Sequence, residues 1–81
     1  MNTLESLTAI NNAAKDRAWA ATDPNITTEQ LDVALTDPDW RVRFEAVGNI
    51  NITPKQIDVA LNDVNWHVRT FASVQQANLT K

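Results

Sequence analysis

The chain has 81 residues, seven basic and ten acidic side chains for a net charge of −3, no cysteine and one glycine. One small core is all that this length supports, with roughly 60 % of the unfolded chain's surface buried, and the missing cysteines exclude disulfides and thiolate metal sites as a supplement to it. The acidic balance argues against a generic nucleic-acid binder, and a single glycine excludes a glycine-rich phosphate loop.

In chain order, Met1–Asn12 lacks the basic start and apolar run of a signal peptide, and no stretch approaches the roughly 20 apolar residues that span a bilayer, so a cytoplasmic setting is expected. Residues 1–24 read as a degraded copy of the two segments after them. Lys15, Arg17 and Ala20 precede Arg41, Arg43 and Ala46 by the same spacing that separates Asn25 from Asn51, while Asp16 stands where Val42 and Val68 stand. A polar residue at an otherwise apolar position suits a terminal unit with one solvated side.

Those two segments, 25–50 and 51–77, are copies of one another. Without a gap, 25–48 and 51–74 share 13 of 24 positions, in the frame N-I-T-x-x-Q-[LI]-D-V-A-L-x-D-x-x-W-x-V-R-x-x-A. Repeats of about 20–50 residues point to stacked units that cannot bury their apolar faces alone. Each unit predicts two short helices. Thr27 with Gln30 and Thr53 with Gln56 have capping-box spacing, bracketed by the staples Ile26–Leu31 and Ile52–Ile57, and Pro54 suits the first helical position. Leu31, Ala34 and Leu35, and then Ile57, Ala60 and Leu61, recur on one face of a helix about two turns long. Asp37-Pro38 and Asp63-Val64 predict the second helix, with the Asp as N-cap. Its buried stripe would be Val42, Ala46, Val47 and Ile50, then Val68, Ala72 and Phe71, and Gly48-Asn49 would end it in a left-handed turn.

The frame D-P-x-W-x-V-R-x-x-A followed by N-x-N-I-T-x-x-Q-L, from about Asp23 onward, resembles the variant leucine-rich repeats, HEAT-like helical repeats of bacterial and bacteriophage proteins. The resemblance implies an all-α fold: a short right-handed solenoid of paired short helices, about two and a half repeats, with 3₁₀ turns among them. It also implies a scaffold for protein or nucleic-acid contacts, such as a small phage-type inhibitor of a host defence or nucleic-acid enzyme acting in the host cytoplasm. At its motif positions Asp37, Arg43, Asp63 and Arg69 are structural.

From the residues themselves, Lys15–Arg17, Arg41–Arg43 and His67–Arg69 recur once per repeat, and stacking would align them as a ridge for phosphates or an acidic protein surface. Alternatively, Arg43 and Arg69 form a structural ladder with Asp37 and Asp63, or with the turn of an adjacent repeat. Trp40 and Trp66 recur beside the basic residues, either as interface anchors or as wedges between repeats. Trp19, at the phase of Glu45 and Phe71, reads as a core cap. One histidine excludes a two-histidine metal site, and the two serines lack an acid–base setting, so neither catalysis nor a cofactor is expected.

Three N-x-T sequons begin at Asn25, Asn51 and Asn78. The first two read as turns into a Thr N-cap. The third, within 78–81, reads as the truncated opening of a further repeat, which would leave Val68, Phe71 and Val74 on an uncovered end open to self-association. The expected function is a non-enzymatic protein-binding module with contacts from Lys15, Trp40, Arg41, Trp66, His67 and Phe71. Nucleic-acid binding through the ridge and self-association through the C-terminal end are the alternatives.

Overall fold

The computed structural model describes residues 13–79, which form five α-helices and no strand. Helix α1 spans Ala13–Ala20, α2 Thr28–Ala34, α3 Trp40–Val47, α4 Pro54–Ala60 and α5 Trp66–Leu79. The expected N-terminal unit before residue 13, and Thr80 and Lys81 of the expected further unit, lie outside the described residues. No described helix is long and apolar enough to cross a membrane.

The first helix of each copy starts as its sequence predicts. Thr27 Oγ1 accepts from the Gln30 N–H at 3.1 Å while Gln30 Oε1 accepts from the Thr27 N–H at 2.9 Å. Thr53 and Gln56 repeat the exchange at 3.1 and 3.0 Å, with Pro54 opening α4. Each box satisfies donors that a helix start would otherwise leave open.

The second helix starts two residues later than expected. Asp37 Oδ1 accepts from the Asp39 N–H, and Asp39, the true N-cap of α3, accepts from the Arg41 N–H. In the second copy Asp63 serves Asn65 and Asn65 serves His67 in the same relay. Two successive side-chain turns therefore lead into the helix, which puts Pro38 outside the cap rather than at the first helical position.

Gly48 ends α3 at φ −82° and ψ −2°, not in the expected left-handed region. Its need for a missing side chain is steric: a Cβ here would lie 2.8 and 2.9 Å from ring atoms of Phe71. Ile50, expected in the core, is 83 % exposed, because the chain turns away after Gly48. The second copy has Val74 in place of Gly48, and α5 runs on to Leu79. Asn78 and Leu79 thus belong to the last turn of α5 instead of opening a new unit.

Helix α1 packs on α3 and α3 on α5, so helices about one repeat apart lie together, while α2 and α4 flank them. Leu31, Ile57, Val42, Val47 and Val68 are fully buried, and Ala21, Ala46, Ala60 and Ala72 let the helices approach. A buried Leu, Ile or Val contributes about 1.5–3 kcal/mol. Val68, expected on an open end, is inside; Val74 is half exposed and Phe71 is partly buried.

Polar bonds between copies run in both directions. Forward, Arg17 grips Asp37 with Nε at 2.6 Å and Nη2 at 3.0 Å, and Arg43 grips Asp63 at 2.8 and 3.1 Å. The carboxylate pairs thus join Arg17 and Arg43 to the Asp of the next copy, and not Arg43 and Arg69 to Asp37 and Asp63 within their own copies. Asp37 gives Arg43 only its backbone carbonyl, and Arg69 likewise takes the carbonyl of Asp63. Backward, Asn49 Nδ2 donates to the carbonyls of Ala21 and Asp23, Asn51 Nδ2 to those of Pro24 and Ile26, and Gln75 Nε2 to that of Val47. Buried Gln56 donates to the Thr28 carbonyl and the Asp32 carboxylate.

Candidate functional site

Helices α1, α3 and α5 start about one repeat apart, which brings their equivalent positions into columns. One column reads Ala14, Trp40, Trp66; the next Lys15, Arg41, His67; then Ala18, Phe44, Thr70. The large rings of α3 and α5 meet in these columns. His67 stacks on Trp40 with centroids 4.8 Å apart and planes 17° from parallel, and on Trp66 at 4.1 Å and 28°. Phe44 meets Trp40 edge-on at 6.0 Å and lies against Phe71 at 4.6 Å. Trp66, His67, Trp40, Phe44 and Phe71 make one continuous band of rings.

Where α1 carries Ala14 and Ala18 instead of Trp and Phe, the band stops and a cavity of about 410 Å³ opens. Ala14, Lys15 and Ala18 of α1 line it with Trp40, Arg41, Phe44 and Glu45 of α3 and His67 of α5. Of the six residues expected to make contacts, Lys15, Trp40, Arg41 and His67 share this cavity, and Trp66 and Phe71 end the ring band. Phe44 and Glu45, which with Arg41 are among the positions where the two copies differ and recognition was expected, line the cavity too. For Phe44 the column adds a second signal, since Ala18 in the preceding copy leaves the ring uncovered.

Trp19, expected to cap the core, is 79 % exposed. It projects from α1 beside Lys15 and Glu45 along the edge of a shallower depression.

Half of the basic ridge is engaged with carboxylates. Arg17 and Arg43 are committed to Asp37 and Asp63. Arg41 is exposed, but its Nε and Nη2 lie 3.1 and 2.9 Å from the Asp39 carboxylate. Side-chain and backbone hydrogen bonds from Arg41 hold the Asp39 carboxyl down at about 2, and the same pairing raises Arg41. Asp37 is pushed up by burial, yet its bonds from Arg17 and the Asp39 N–H outweigh this and leave it below its ordinary value. Three of the guanidinium groups along the ridge are thus balanced locally.

No family model, curated protein or solved structure matches this chain. Its site is accordingly read from geometry: flat rings for stacking and apolar contact, a Lys15 ammonium, and a guanidinium already tied to a carboxylate. Such a set can hold a side chain by burial and orient it by charge.

Proposed function

We propose that this chain is a short right-handed helical solenoid of the variant leucine-rich, HEAT-like style, and that it works as a non-enzymatic protein-binding module. The ring band and cavity along α1, α3 and α5 form the contact face. The observation that carries this reading is the exposure of the aromatic band: Trp66 remains 59 % exposed although it stacks on His67, and Trp40 walls the cavity that Ala14 and Ala18 leave open. Tryptophans held rigid beside a cation are the residues from which interfaces draw most of their energy. The local balancing of Arg17, Arg41 and Arg43 supports a protein partner over a phosphate backbone, whose binding needs many uncompensated cations.

The test is a displayed random-peptide selection on the immobilised chain, with Trp40→Ala as the counter-selected surface and circular dichroism as the check on folding. The expected outcome is a set of peptides whose affinity falls about tenfold or more on Trp40→Ala or Lys15→Glu. Peptides indifferent to both substitutions would refute the reading, as would a selection with no enrichment. Oligonucleotides supply the contrast: strong binding that falls steeply with salt would replace the protein partner by a nucleic acid.

A further inference from the structure

Trp40 and Arg43 stand three residues apart on α3, which puts them on one helix face. The second copy engages both at once. The His67 ring stacks on Trp40, and the Asp63 carboxylate takes Nε and Nη2 of Arg43, whose Nη1 is anchored 2.6 Å from the Asp37 carbonyl. The same pair recurs on α5 as Trp66 and Arg69. Arg69 Nη1 is anchored to the Asp63 carbonyl at 2.7 Å, the equivalent of the Arg43 anchor. Its fork is oriented in the same manner, yet among the described residues no carboxylate is paired with it, and its side chain is exposed.

The surroundings of this pair differ from those on α3. Phe44 and Val47 are replaced by Thr70 and Ser73, both exposed, so the helix face has become polar around a retained Trp and Arg. Thr70 and Ser73 make this face polar, while Trp66 and Arg69 keep the identities they have at Trp40 and Arg43.

We infer that Trp66 and Arg69 form a second docking site, which receives the start of a helix from another protein, one carrying an aspartate and, four residues later, a flat side chain such as His or Arg. Residues 63–67 of this chain, Asp-Val-Asn-Trp-His, show the pattern by the way they cover Trp40 and Arg43. The carboxylate would enter the Arg69 fork with two parallel bonds, the geometry that makes Arg–carboxylate recognition specific. The flat group would lie on Trp66. A second copy of this chain is a poor occupant, because the three such segments in its described residues have their aspartates already engaged: Asp37 holds Arg17, Asp39 holds Arg41 and Asp63 holds Arg43. The inference rests on the protein-binding reading for its class of partner; it shares Trp66 with that contact face and adds the Arg69 fork beyond it.

The probe is a synthetic peptide with the sequence of residues 62–73, acetylated and amidated, titrated into the full chain and followed by NMR of the Arg69 Nε–H and by calorimetry. Saturable binding is expected, weakened about tenfold or more by Arg69→Gln or Trp66→Ala in the protein and equally by Asp63→Asn in the peptide. Lys15→Glu, which alters the cavity between α1 and α3, should change it by less than about twofold. The peptide-side substitution keeps the test valid even where a protein variant folds poorly. No binding up to roughly 5 mM peptide, or equal binding by the Asp63→Asn peptide, would overturn the inference. So would dimerisation of the chain itself that disappears in Arg69→Gln, since the occupant would then be a second copy. Failure here with success in the peptide selection, where Trp40 and Lys15 are the reporters, would leave the cavity reading standing.

Discussion

Asn49 is 3 % exposed and makes three bonds at once: Nδ2 to the carbonyls of Ala21 and Asp23, and Oδ1 from the N–H of Asn51. Asn49→Ala removes all three partners and leaves two carbonyls and one N–H without them. At about 1 kcal/mol net per bond the loss comes to about 3 kcal/mol. A domain of this size has about 4–12 kcal/mol in all, so the urea midpoint should fall by about 2–3 M for a slope near 1 kcal/mol/M. Asn49→Asp sharpens the test. It keeps the shape and the bond from Asn51 but sets a carboxylate against two carbonyl oxygens. The introduced carboxyl should titrate above its unfolded value of about 3.9. Its favourable, protonated form is present below that value and is lost as pH rises through the raised folded one. The urea midpoint of Asn49→Asp should therefore climb as pH falls from 7 to 5. A midpoint flat across that range, or Asn49→Ala within about 0.5 kcal/mol of wild type, would refute the bridging role assigned to Asn49.

Gly48→Ala should destabilise by about 1 kcal/mol by chemical denaturation, because the gain of up to about 1 kcal/mol from a less flexible unfolded chain is offset by about 1–3 kcal/mol for displacing the Phe71 ring. Adding Phe71→Ala should reverse the sign of the Gly48 substitution, and strict additivity would rule out the steric account. Acid acts on Asp39. Asp39 is held at about 2 by its bonds from Arg41, and its stabilising effect is complete above its ordinary value of 3.8 and lost as pH falls toward 2. In a carboxyl-carbon NMR titration, Arg41→Gln should move Asp39 back toward its ordinary value. An Asp39 that titrates alike in both proteins would contradict the assigned pairing.

Much of the architecture was legible because the signals that set it are local. Both capping boxes, Pro54 and the apolar faces around Leu31, Ile57 and Val42 lie within a few residues of the groups they serve, and the structure places them as their spacing predicts. The cross-copy bonds were not legible in that way. Arg43 has Asp37 six residues behind and Asp63 twenty ahead, and only the stacking of α3 on α5 decides for the second. Gly48 misled for a related reason: a lone glycine after a helix suggests a left-handed turn, whereas here a ring from the next copy occupies the space. Asn49 looked like a helix terminator and proved to be a buried bridge. For the site, the residue types were visible beforehand and the cavity was not, since it exists through the absence of large side chains at Ala14 and Ala18.

The bonds between copies have a direction: guanidinium groups reach ahead, and amides reach back. A molecule built this way has a grammar for lengthening itself. Inserting one whole unit, such as a second copy of 25–50, between existing copies would meet a waiting fork on one side and waiting carbonyls on the other, with no residue to be redesigned. An insertion of any other length would shift Asp from Arg and Asn from carbonyl together. Duplication in whole units is thus the change in length that this pattern tolerates, and the gapless match of 25–48 to 51–74 is the trace such an event would leave.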